Sequence, residues 1–326
     1  YLPLSGNNDL IGYGNYSKER WNEAAKAAKA AITAVESSGY YDLYDEGTPE
    51  TNYEHVWTAP DNKEIILANK KYRNFTTSSH PITSNIPAWA GSSWSDGGLF
   101  TTFNFVRFYE KKDGNQQTWN MDGGDDLLEK YDELDPRFAQ TIAAHGANWN
   151  TEIGILNFLP GGAHNVANDK TKHLVRKWVP RVLRATAPRN STNMDWIVFR
   201  VAELYLNYAE ALNELTTSYE VPSWDGSITY TISRNVEDMR TGIKPIRMRA
   251  GVPDYDADTY SNPIKFRIKL KRERQIELFA EGKRYYDLRR WKDAEVEEAM
   301  PVYGCYTFMS NANKDLFHTP VPIPNL

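Results

Sequence analysis

The sequence has 326 residues, enough for one large domain or two ordinary ones, and its 40% hydrophobic and 25% charged residues are typical of a globular protein. A net charge of −5 with no run of lysine or arginine argues against a nucleic-acid partner. No apolar run approaches the roughly 20 residues that a membrane-spanning helix needs, and the single cysteine, Cys305, rules out an intramolecular disulfide.

The first predicted element is an amphipathic helix over residues 17–38. Its apolar residues recur at spacings of three and four from Trp21 to Val35, which places them on one stripe. Ser17 is the predicted N-cap, and Gly39 is predicted to end the helix in the left-handed conformation.

The next part of the chain is predicted to be rich in loops. Residues 45–90 lack a clear period, and we predict loops around one short strand or helix at 64–68. A short helix is predicted over 101–109 and another near 126–131, within the loop-rich interval 114–189. An irregular stretch this long is usually functional or disordered, and its Trp and Phe content argues against disorder.

Helical periodicity returns strongly in two segments and weakly in a third, namely 195–215, 262–291 and 231–249. Gly242 and Pro245 are predicted to interrupt or end the weak helix. Asn262 is the predicted N-cap of the last segment, with a proline at the first helical position. The proline-rich tail, 320–324, is predicted to be extended.

Two of these helical segments resemble those of a known family. Residues 200–214 read RVAELYLNYAEALNE, and residues 273–291 read ERQIELFAEGKRYYDLRRW. Both are similar to signature helices of the SusD/RagB family of glycan-binding lipoproteins. Shorter matches lie around them in the family's order, at 109–114, 135–138, 246–253 and 322–324. The resemblance runs from about Trp21 to the end of the chain.

The resemblance implies a mainly α fold in which TPR-like helix pairs, arranged as an α-α superhelix, support a loop-rich ligand-binding half. We expect a single SusD-like domain over residues 1–326 that lacks its N-terminal portion. Within it, 1–44 supplies a TPR-like helix, 45–190 the loop-rich ligand-binding region, and 191–326 the C-terminal TPR-like helices and the extended tail.

The resemblance also implies a function without catalysis or a cofactor. Family members capture an oligosaccharide or polysaccharide at the cell surface and deliver it to a TonB-dependent, SusC-like outer-membrane transporter, so we expect these partners here. A lipid anchor is expected on the missing N-terminal part. Two alternatives stay open, namely RagB-like binding of peptides and a TPR-type scaffold that binds other proteins through its helices.

The acidic residues of the last helical segment do not predict catalysis. Glu273, Glu277 and Glu281 lie one turn apart with Arg274 and Arg284 nearby. A glycosidase needs two carboxyl groups that face each other across a cleft, whereas carboxylates spaced i, i+4 among arginines are typical of an ion-pair network. The family resemblance likewise implies that this segment pins helix pairs together.

No metal site is predicted, because the six histidines stand singly and none has the spacing of a metal-ligand pair. The sequence also has neither the serine nucleophile elbow of a hydrolase nor a phosphate-binding glycine loop. Asp122, Asp125 and Asp126 could hold calcium, but they lack EF-hand spacing and are more typical of a solvated acidic turn.

Four tryptophans lie in loops among small and amide-bearing residues. An indole face stacks on the C–H face of a sugar ring, and neighbouring amides and carboxylates bind its hydroxyls. The predicted ligand-binding residues are therefore Trp89, Trp94, Trp119, Asn120, Asp122, Trp149 and Asn150. The alternative for these indoles is packing of the loops onto the helices. Trp21, Trp196 and Trp291 are assigned to the core.

Overall fold

The computed structural model describes residues 13–70, 75–76, 99–121, 126–159, 161–164, 171–184, 186, 188, 190–305 and 320–322. Its helices are α1 (Glu19–Ser38), α2 (Pro49–Thr58), α3 (Phe103–Val106), α4 (Leu127–Asp132), α5 (Arg137–Thr141), α6 (Val201–Asn213), α7 (Val236–Arg249), α8 (Ala257–Ser261), α9 (Pro263–Glu277), α10 (Arg284–Trp291) and α11 (Ala294–Glu297). Its strands are β1 (Ile65–Asn69), β2 (Phe75–Thr76), β3 (Ile142–Ala144), β4 (His173–Val175), β5 (Ser191–Thr192), β6 (Trp196–Arg200), β7 (Tyr219–Pro222), β8 (Thr229–Ile232), β9 (Tyr303–Cys305) and β10 (Pro320–Pro322).

The helical half of the molecule is built around α6, which packs against α1, α7 and α9. Small residues on α6, among them Ala202 and Ala209, are fully buried and allow the neighbouring helices to approach closely. Helix α1 presents its alanine-rich stripe to α6 and ends at Gly39 with φ of 64°, as the sequence predicts. The mainly α fold class is confirmed.

The predicted helix over 195–215 is wrong in its first turn. Residues Trp196–Arg200 form strand β6 and pair antiparallel with β1, and the helix begins only at Val201. The segment WIVFR is β-branched and aromatic, and it packs well on a pleated surface. Its apolar spacing fits a helix too, so periodicity alone could not separate the two.

Helix α7 continues through both residues that were predicted to interrupt or end it. It begins at Val236, after the N-cap Asn235, whose side chain accepts a hydrogen bond from the Asp238 amide, while 229–232 forms a strand instead. Gly242 and Pro245 lie inside the helix. The reason is packing: a β-carbon at Gly242 would lie 2.5 Å from the Tyr205 carbonyl oxygen on α6.

Replacing Gly242 with alanine is expected to destabilise the protein by about 1–3 kcal/mol, because the added methyl group overpacks the contact between α6 and α7. Intrinsic helix propensity alone predicts the opposite change in stability, because alanine favours a helix by about 1 kcal/mol relative to glycine. Urea denaturation of the variant and of Lys244→Ala, at an exposed position of the same helix, measures the difference. A Gly242→Ala protein as stable as the wild type would contradict the close approach.

The described strands form two-stranded antiparallel pairs, with β1 on β6, β2 on β5, β3 on β4, β7 on β8 and β9 on β10. The extended tail predicted at 320–324 is confirmed for 320–322, which pairs with β9. The predicted helical region over 262–291 is divided into α9 and α10, and the chain turns between them at Ala280 and Gly282, both with positive φ. Asn262 caps α9 as predicted, by accepting hydrogen bonds from two backbone amides.

Two further cores are formed mainly by described residues of 45–190, the region predicted to be rich in loops and called the loop-rich half below. One contains Trp57, Trp149 and Trp178, and the other contains Phe103, Phe138 and Ile276 of α9. Helix α2, which was predicted as loop, contributes Tyr53 and Trp57 to the first of these cores. It begins at Pro49, after a capping box. The Thr48 side chain accepts a hydrogen bond from the Thr51 amide, and the Thr51 side chain accepts one from the Thr48 amide.

Buried ion pairs join the helical half to the loop-rich half. Glu277 of α9 accepts hydrogen bonds from Arg137 at 2.8 Å, from Arg200 at 2.6 Å and from Arg249. All four side chains are at most 1% exposed. The predicted ion-pair network is confirmed, although the arginines that bind Glu277 come from α5, α7 and the end of β6.

The neighbouring acidic residues extend this network. Glu273 is bound by Arg137 at 2.6 Å and Arg247 at 2.9 Å, and Glu281 is bound by Arg200 at 2.8 Å and Lys177 at 2.6 Å. Two arginines that lie near these acids in the sequence bind elsewhere. Arg274 binds Asp287, and Arg284 binds Glu297.

Candidate functional site

A groove of about 540 Å³ opens on the loop-rich half. Its walls are α4, α5, the turn that follows β3, and the segment that follows β4. The lining residues are Glu50, Thr51, Leu128, Tyr131, Asp132, Phe138, Ala139, Ile142, Ala144, His145, Gly146, Ala147, Asn148, Arg176 and Arg181. A volume of this size is typical of small-ligand sites, which range over about 300–1,000 Å³.

Local capping and turn interactions position the walls. The Asp126 carboxylate caps α4 by accepting hydrogen bonds from the Leu128 and Glu129 amides at 3.0 and 3.2 Å. After β3 the chain reverses in a turn in which the Asn150 Oδ1 accepts hydrogen bonds from two backbone amides. Antiparallel backbone pairing of Asn148 with Ile155 holds the turn against the groove.

The lining combines an apolar floor with a polar rim. Tyr131 and Phe138, whose ring centroids lie 5.0 Å apart, contribute aromatic surface. His145 and Asn148 contribute an imidazole and an amide, and the latter is exposed. Apolar surface with a few convergent hydrogen-bonding groups is the chemistry that a polyhydroxylated ligand requires.

Two arginines form one end of the groove, and their charge is partly neutralised. Glu54 on α2 binds the Arg176 Nη2 at 2.8 Å and the Arg181 Nη2 at 2.5 Å. The Arg176 Nε is buried and has no hydrogen-bond partner among the described residues. Glu50 also lines the groove, and a hydrogen bond from the Thr48 hydroxyl lowers the pKa of its carboxyl.

The predicted ligand residue Trp119 lies behind the groove rather than in it. Its ring is partly buried, packs edge-to-face on Phe103 at 5.1 Å and lies 6.2 Å from the ring of Tyr131. Its Nε1 is buried and has no hydrogen-bond partner in the described part of the chain. Asn120, its neighbour, is exposed. Trp119 therefore supports Tyr131, which lines the floor.

Trp149 also lies behind a wall of the groove. It is 2% exposed in the core that contains Trp57 and Trp178, so its ring offers no free face for stacking on a sugar. The guanidinium of Arg176 lies 5.7 Å from its ring centroid. Asn150 closes the adjacent turn and donates a hydrogen bond to the Arg181 carbonyl oxygen at 2.8 Å.

The remaining predicted ligand residues, Trp89, Trp94 and Asp122, lie outside the described residues. The tryptophans assigned to the core are partly buried at its edges. Trp196 stacks on Trp178 at 4.9 Å, and the Trp291 Nε1 donates a hydrogen bond to Glu210 at 2.7 Å. Trp21 packs against the helical core.

Several groove residues carried no signal in the sequence. Glu50, Asp132, His145 and Arg181 are spread over 132 positions and belong to no motif. The sequence indicated a ligand-binding role only near Asn148, which lies beside Trp149 in a turn rich in amides. The Gln140 side chain on α5 accepts a hydrogen bond from the Glu54 amide on α2 at 2.8 Å. This contact brings the two helices together at the groove.

Comparison with known proteins decides the family. A sequence model of the SusD family matches residues 53–321, which is most of the chain. The chain belongs to the SusD family. No curated protein matches the sequence significantly.

Solved structures of the SusD family have the same fold. A SusD-like protein from Bacteroides fragilis NCTC 9343 is 27% identical, with a TM-score of 0.66 over 89% of this chain and 54% of its own. A SusD-like carbohydrate-binding protein from the same strain is 20% identical, with a TM-score of 0.61 over 91% of this chain and 54% of its own. The chain thus spans about half the length of these relatives. The predicted TPR-like helical fold is confirmed.

A second groove, of about 620 Å³, lies on the helical half of this SusD-family chain. It runs between α1, α6 and α10 and is bounded by Trp21, Glu203, Asn207 and Tyr286, the last of which is 68% exposed. None of the helices that the structure describes combines the length and apolarity needed to cross a membrane.

Proposed function

We propose that the chain binds an oligosaccharide in the groove of the loop-rich half. The observation that carries the proposal is the lining itself, in which the partly exposed Tyr131, backed by the buried Phe138, forms an aromatic floor and His145, Asn148 and Arg181 form a polar rim. Arginine, amide and imidazole groups bind hydroxyls at fixed geometry, and the floor removes the C–H faces of a sugar from water. The SusD-like relative described as carbohydrate-binding supports the same ligand class.

In the proposed role, the chain passes its ligand to a TonB-dependent, SusC-like transporter in the outer membrane. A lipid anchor holds the protein at the cell surface. Membership of the SusD family supports both statements. Co-purification of the native protein with an outer-membrane barrel, and its release by lipase treatment of intact cells, are the expected results. Recovery in a soluble fraction without a barrel would contradict this placement.

The loop tryptophans stay part of the proposal in two ways. Trp89 and Trp94 are proposed to contact the ligand directly, together with Asn120 and Asp122. Trp119 and Trp149 are proposed to act from behind the groove, by fixing Tyr131 and Arg176. A structure of the chain with a bound oligosaccharide distinguishes direct contact from support at each position.

Replacing Asn148 with alanine is expected to weaken glycan binding by about tenfold, because the variant loses one or two hydrogen bonds of about 1 kcal/mol each. Isothermal titration calorimetry against a panel of plant and host oligosaccharides measures the change. Asn115→Ala is the matched control, since its side chain is exposed in a turn outside the groove and, among the described residues, binds only Asp113. Equal affinity of the Asn148→Ala protein and the wild type would exclude the groove.

Two alternatives predict different results in the same assays. A RagB-like peptide receptor gives no heat with any glycan and binds oligopeptides. A TPR-type scaffold uses the helical groove at Trp21 and Tyr286, so Trp89→Ala, Trp94→Ala, Trp119→Ala and Trp149→Ala leave its partner binding unchanged. A glycan response that is lost on groove substitution favours the leading proposal over both.

We propose that the chain has no hydrolase activity. Glu273, Glu277 and Glu281 are almost fully buried and bound to arginines or lysine, so they cannot face a substrate. Glu50 lies in the groove, but a glycosidase acid needs a raised pKa and the pKa of Glu50 is lowered. A reducing-end assay after incubation with bound glycans is expected to show no turnover.

A further inference from the structure

Two arginines at one end of the groove share a single acidic partner. The Glu54 carboxylate on α2 accepts a hydrogen bond from the Arg176 Nη2 at 2.8 Å. It also accepts hydrogen bonds from Arg181, through the Nη2 at 2.5 Å and the Nε at 3.0 Å. In the part of the chain that the structure describes, no other acidic residue pairs with either arginine. Two positive charges against one negative charge leave this end of the groove with an excess of one positive charge.

The guanidinium of Arg181 has an edge that no protein group uses. A guanidinium carries five N–H donors in one plane, and Glu54 takes the Nε donor and one donor of Nη2. The Arg181 Nη1 has no hydrogen-bond partner among the described residues. The side chain is 35% exposed and lines the groove. The edge formed by Nη1 and the second donor of Nη2 is therefore available to a ligand.

Arg181 is also held in place before any ligand binds. Glu54 fixes one edge of its guanidinium, and the Asn150 side chain donates a hydrogen bond to its backbone carbonyl oxygen at 2.8 Å. A long side chain that is already ordered loses less conformational entropy on binding than a free one. The free edge is therefore better suited to ligand binding than that of an unrestrained surface arginine.

Arg176 adds positive charge from beneath the groove. It is 4% exposed, and its Nη1 donates a hydrogen bond to the Ala139 carbonyl oxygen. Its Nε is buried and has no partner among the described residues. The side chain is too buried to bind a ligand broadly, but charges interact more strongly through a protein interior than through water. Arg176 therefore strengthens the attraction of this end for an anion.

The other acidic side chains of the groove do not cancel this excess. Glu50 and Asp132 line the groove, and both are exposed. Neither forms an ion pair with Arg176 or Arg181 among the described residues. Water and salt screen the charges of exposed groups that are not in contact. The arginine end is therefore locally positive.

We propose that the groove binds a glycan that carries an anionic group, either the carboxylate of a uronic acid or a sulfate ester, and that the free edge of Arg181 binds this group. Paired anionic oxygens match the spacing of two parallel N–H donors, whereas a hydroxyl offers one neutral oxygen. Charge-assisted hydrogen bonds are about twice as strong as neutral ones. This inference rests on the proposed function and narrows its ligand to acidic glycans.

Isothermal titration calorimetry with matched pairs of glycans tests the proposal. Oligosaccharides of galacturonic, glucuronic and mannuronic acid are each compared with their carboxyl-reduced, neutral counterparts, and sulfated galactan oligosaccharides with desulfated ones. The wild type is expected to bind the acidic member of at least one pair about tenfold more tightly than the neutral member. The pair that shows the preference identifies the anion as carboxylate or sulfate. Added salt is expected to reduce the preference, because it screens the charges.

Substitutions of Arg181 assign the preference to its guanidinium. Arg181→Gln is expected to bring the ratio of the two affinities close to one, whatever affinity both glycans lose. Arg181→Lys keeps the charge without the planar edge, so part of the ratio is expected to return. The matched control is Arg184→Gln, which removes the same charge at an exposed position outside the groove and leaves the ratio unchanged. Melting temperatures show whether each variant is folded.

Three results would overturn the inference, and they separate it from the proposed function. Glycan binding that Asn148→Ala weakens, without a preference for any acidic member, overturns the inference alone. A preference that survives in Arg181→Gln overturns the role of Arg181. The absence of binding to every glycan overturns the inference and the proposed function together. If Arg181→Gln does not fold, the ratio in the wild type and its dependence on salt still decide whether the groove selects an anion.

Discussion

Replacing Glu277 with glutamine is expected to lower the free energy of unfolding by about 3–5 kcal/mol. The substitution keeps the shape of the side chain but removes the negative charge to which Arg137, Arg200 and Arg249 all bind. Those three guanidinium groups are at most 1% exposed, and the variant leaves part of their charge buried without compensation. Urea denaturation followed by circular dichroism measures the loss.

Glu23→Gln provides the matched comparison for Glu277→Gln. Glu23 pairs with Lys26 one turn along α1 at 3.1 Å, and its side chain is 74% exposed. Exposed pairs of this kind contribute about 0–1 kcal/mol, because water screens both charges. Similar destabilisation by the two substitutions would contradict the idea that burial makes Glu277 important.

The helices of the fold were largely predictable, because their signals are local. The stripe on α1, the Asn262 cap of α9 and the motif over 200–214 can be identified without knowledge of any distant contact. The start of α6 was not predictable, because β6 exists only through its pairing with β1 some 130 residues away. Over five residues, the apolar spacing of a strand cannot be distinguished from that of a helix. The partner strand is distant in sequence, so it gives no local signal.

The failure at α7 has a similar origin. Glycine and proline disfavour a helix in isolation, and the sequence contains both inside 236–249. The glycine is required by the neighbouring helix, since Tyr205 and Ala209 occupy the space where a side chain would lie. Helix α2 was missed for a different reason, because its cap at Thr48 and the proline after it were local signals that the weak apolar period obscured.

The ion-pair network and the groove differ in how far the sequence predicted them. The acidic residues at 273, 277 and 281 were predicted to form ion pairs, but their partners could not be chosen among 38 lysines and arginines. The predicted ligand-binding residues relied on tryptophan as a stacking residue, and their contact with a ligand stays a prediction. Trp119 and Trp149 pack behind the walls of the groove, where burial of their large apolar rings is favourable.

Acidification below about pH 5 is expected to reduce the free energy of unfolding steeply. Burial alone raises the pKa of Glu277, but the charges of Arg249, Arg200 and Arg137 hold it far below its usual value of 4.5. The pKa values of Glu273 and Glu281 are lowered in the same way. Since these groups stay ionised in the folded protein while the unfolded chain binds protons, their stabilisation is present above pH 4.5 and is lost as the pH falls.

The size of the effect follows from proton linkage. Each group contributes about 1.4 kcal/mol per pH unit, and Asp135 counts against the other three because burial raises its pKa from 3.8. The net slope of the free energy of unfolding is therefore expected to approach about 3 kcal/mol per pH unit, measured by urea denaturation between pH 7 and pH 3.5.

Glu277→Gln removes one titrating carboxyl, so its slope is expected to be smaller by about 1.4 kcal/mol per pH unit. Equal slopes in the variant and the wild type would show that the acid sensitivity arises outside the network, and a free energy independent of pH would show that these carboxyls titrate alike in both states.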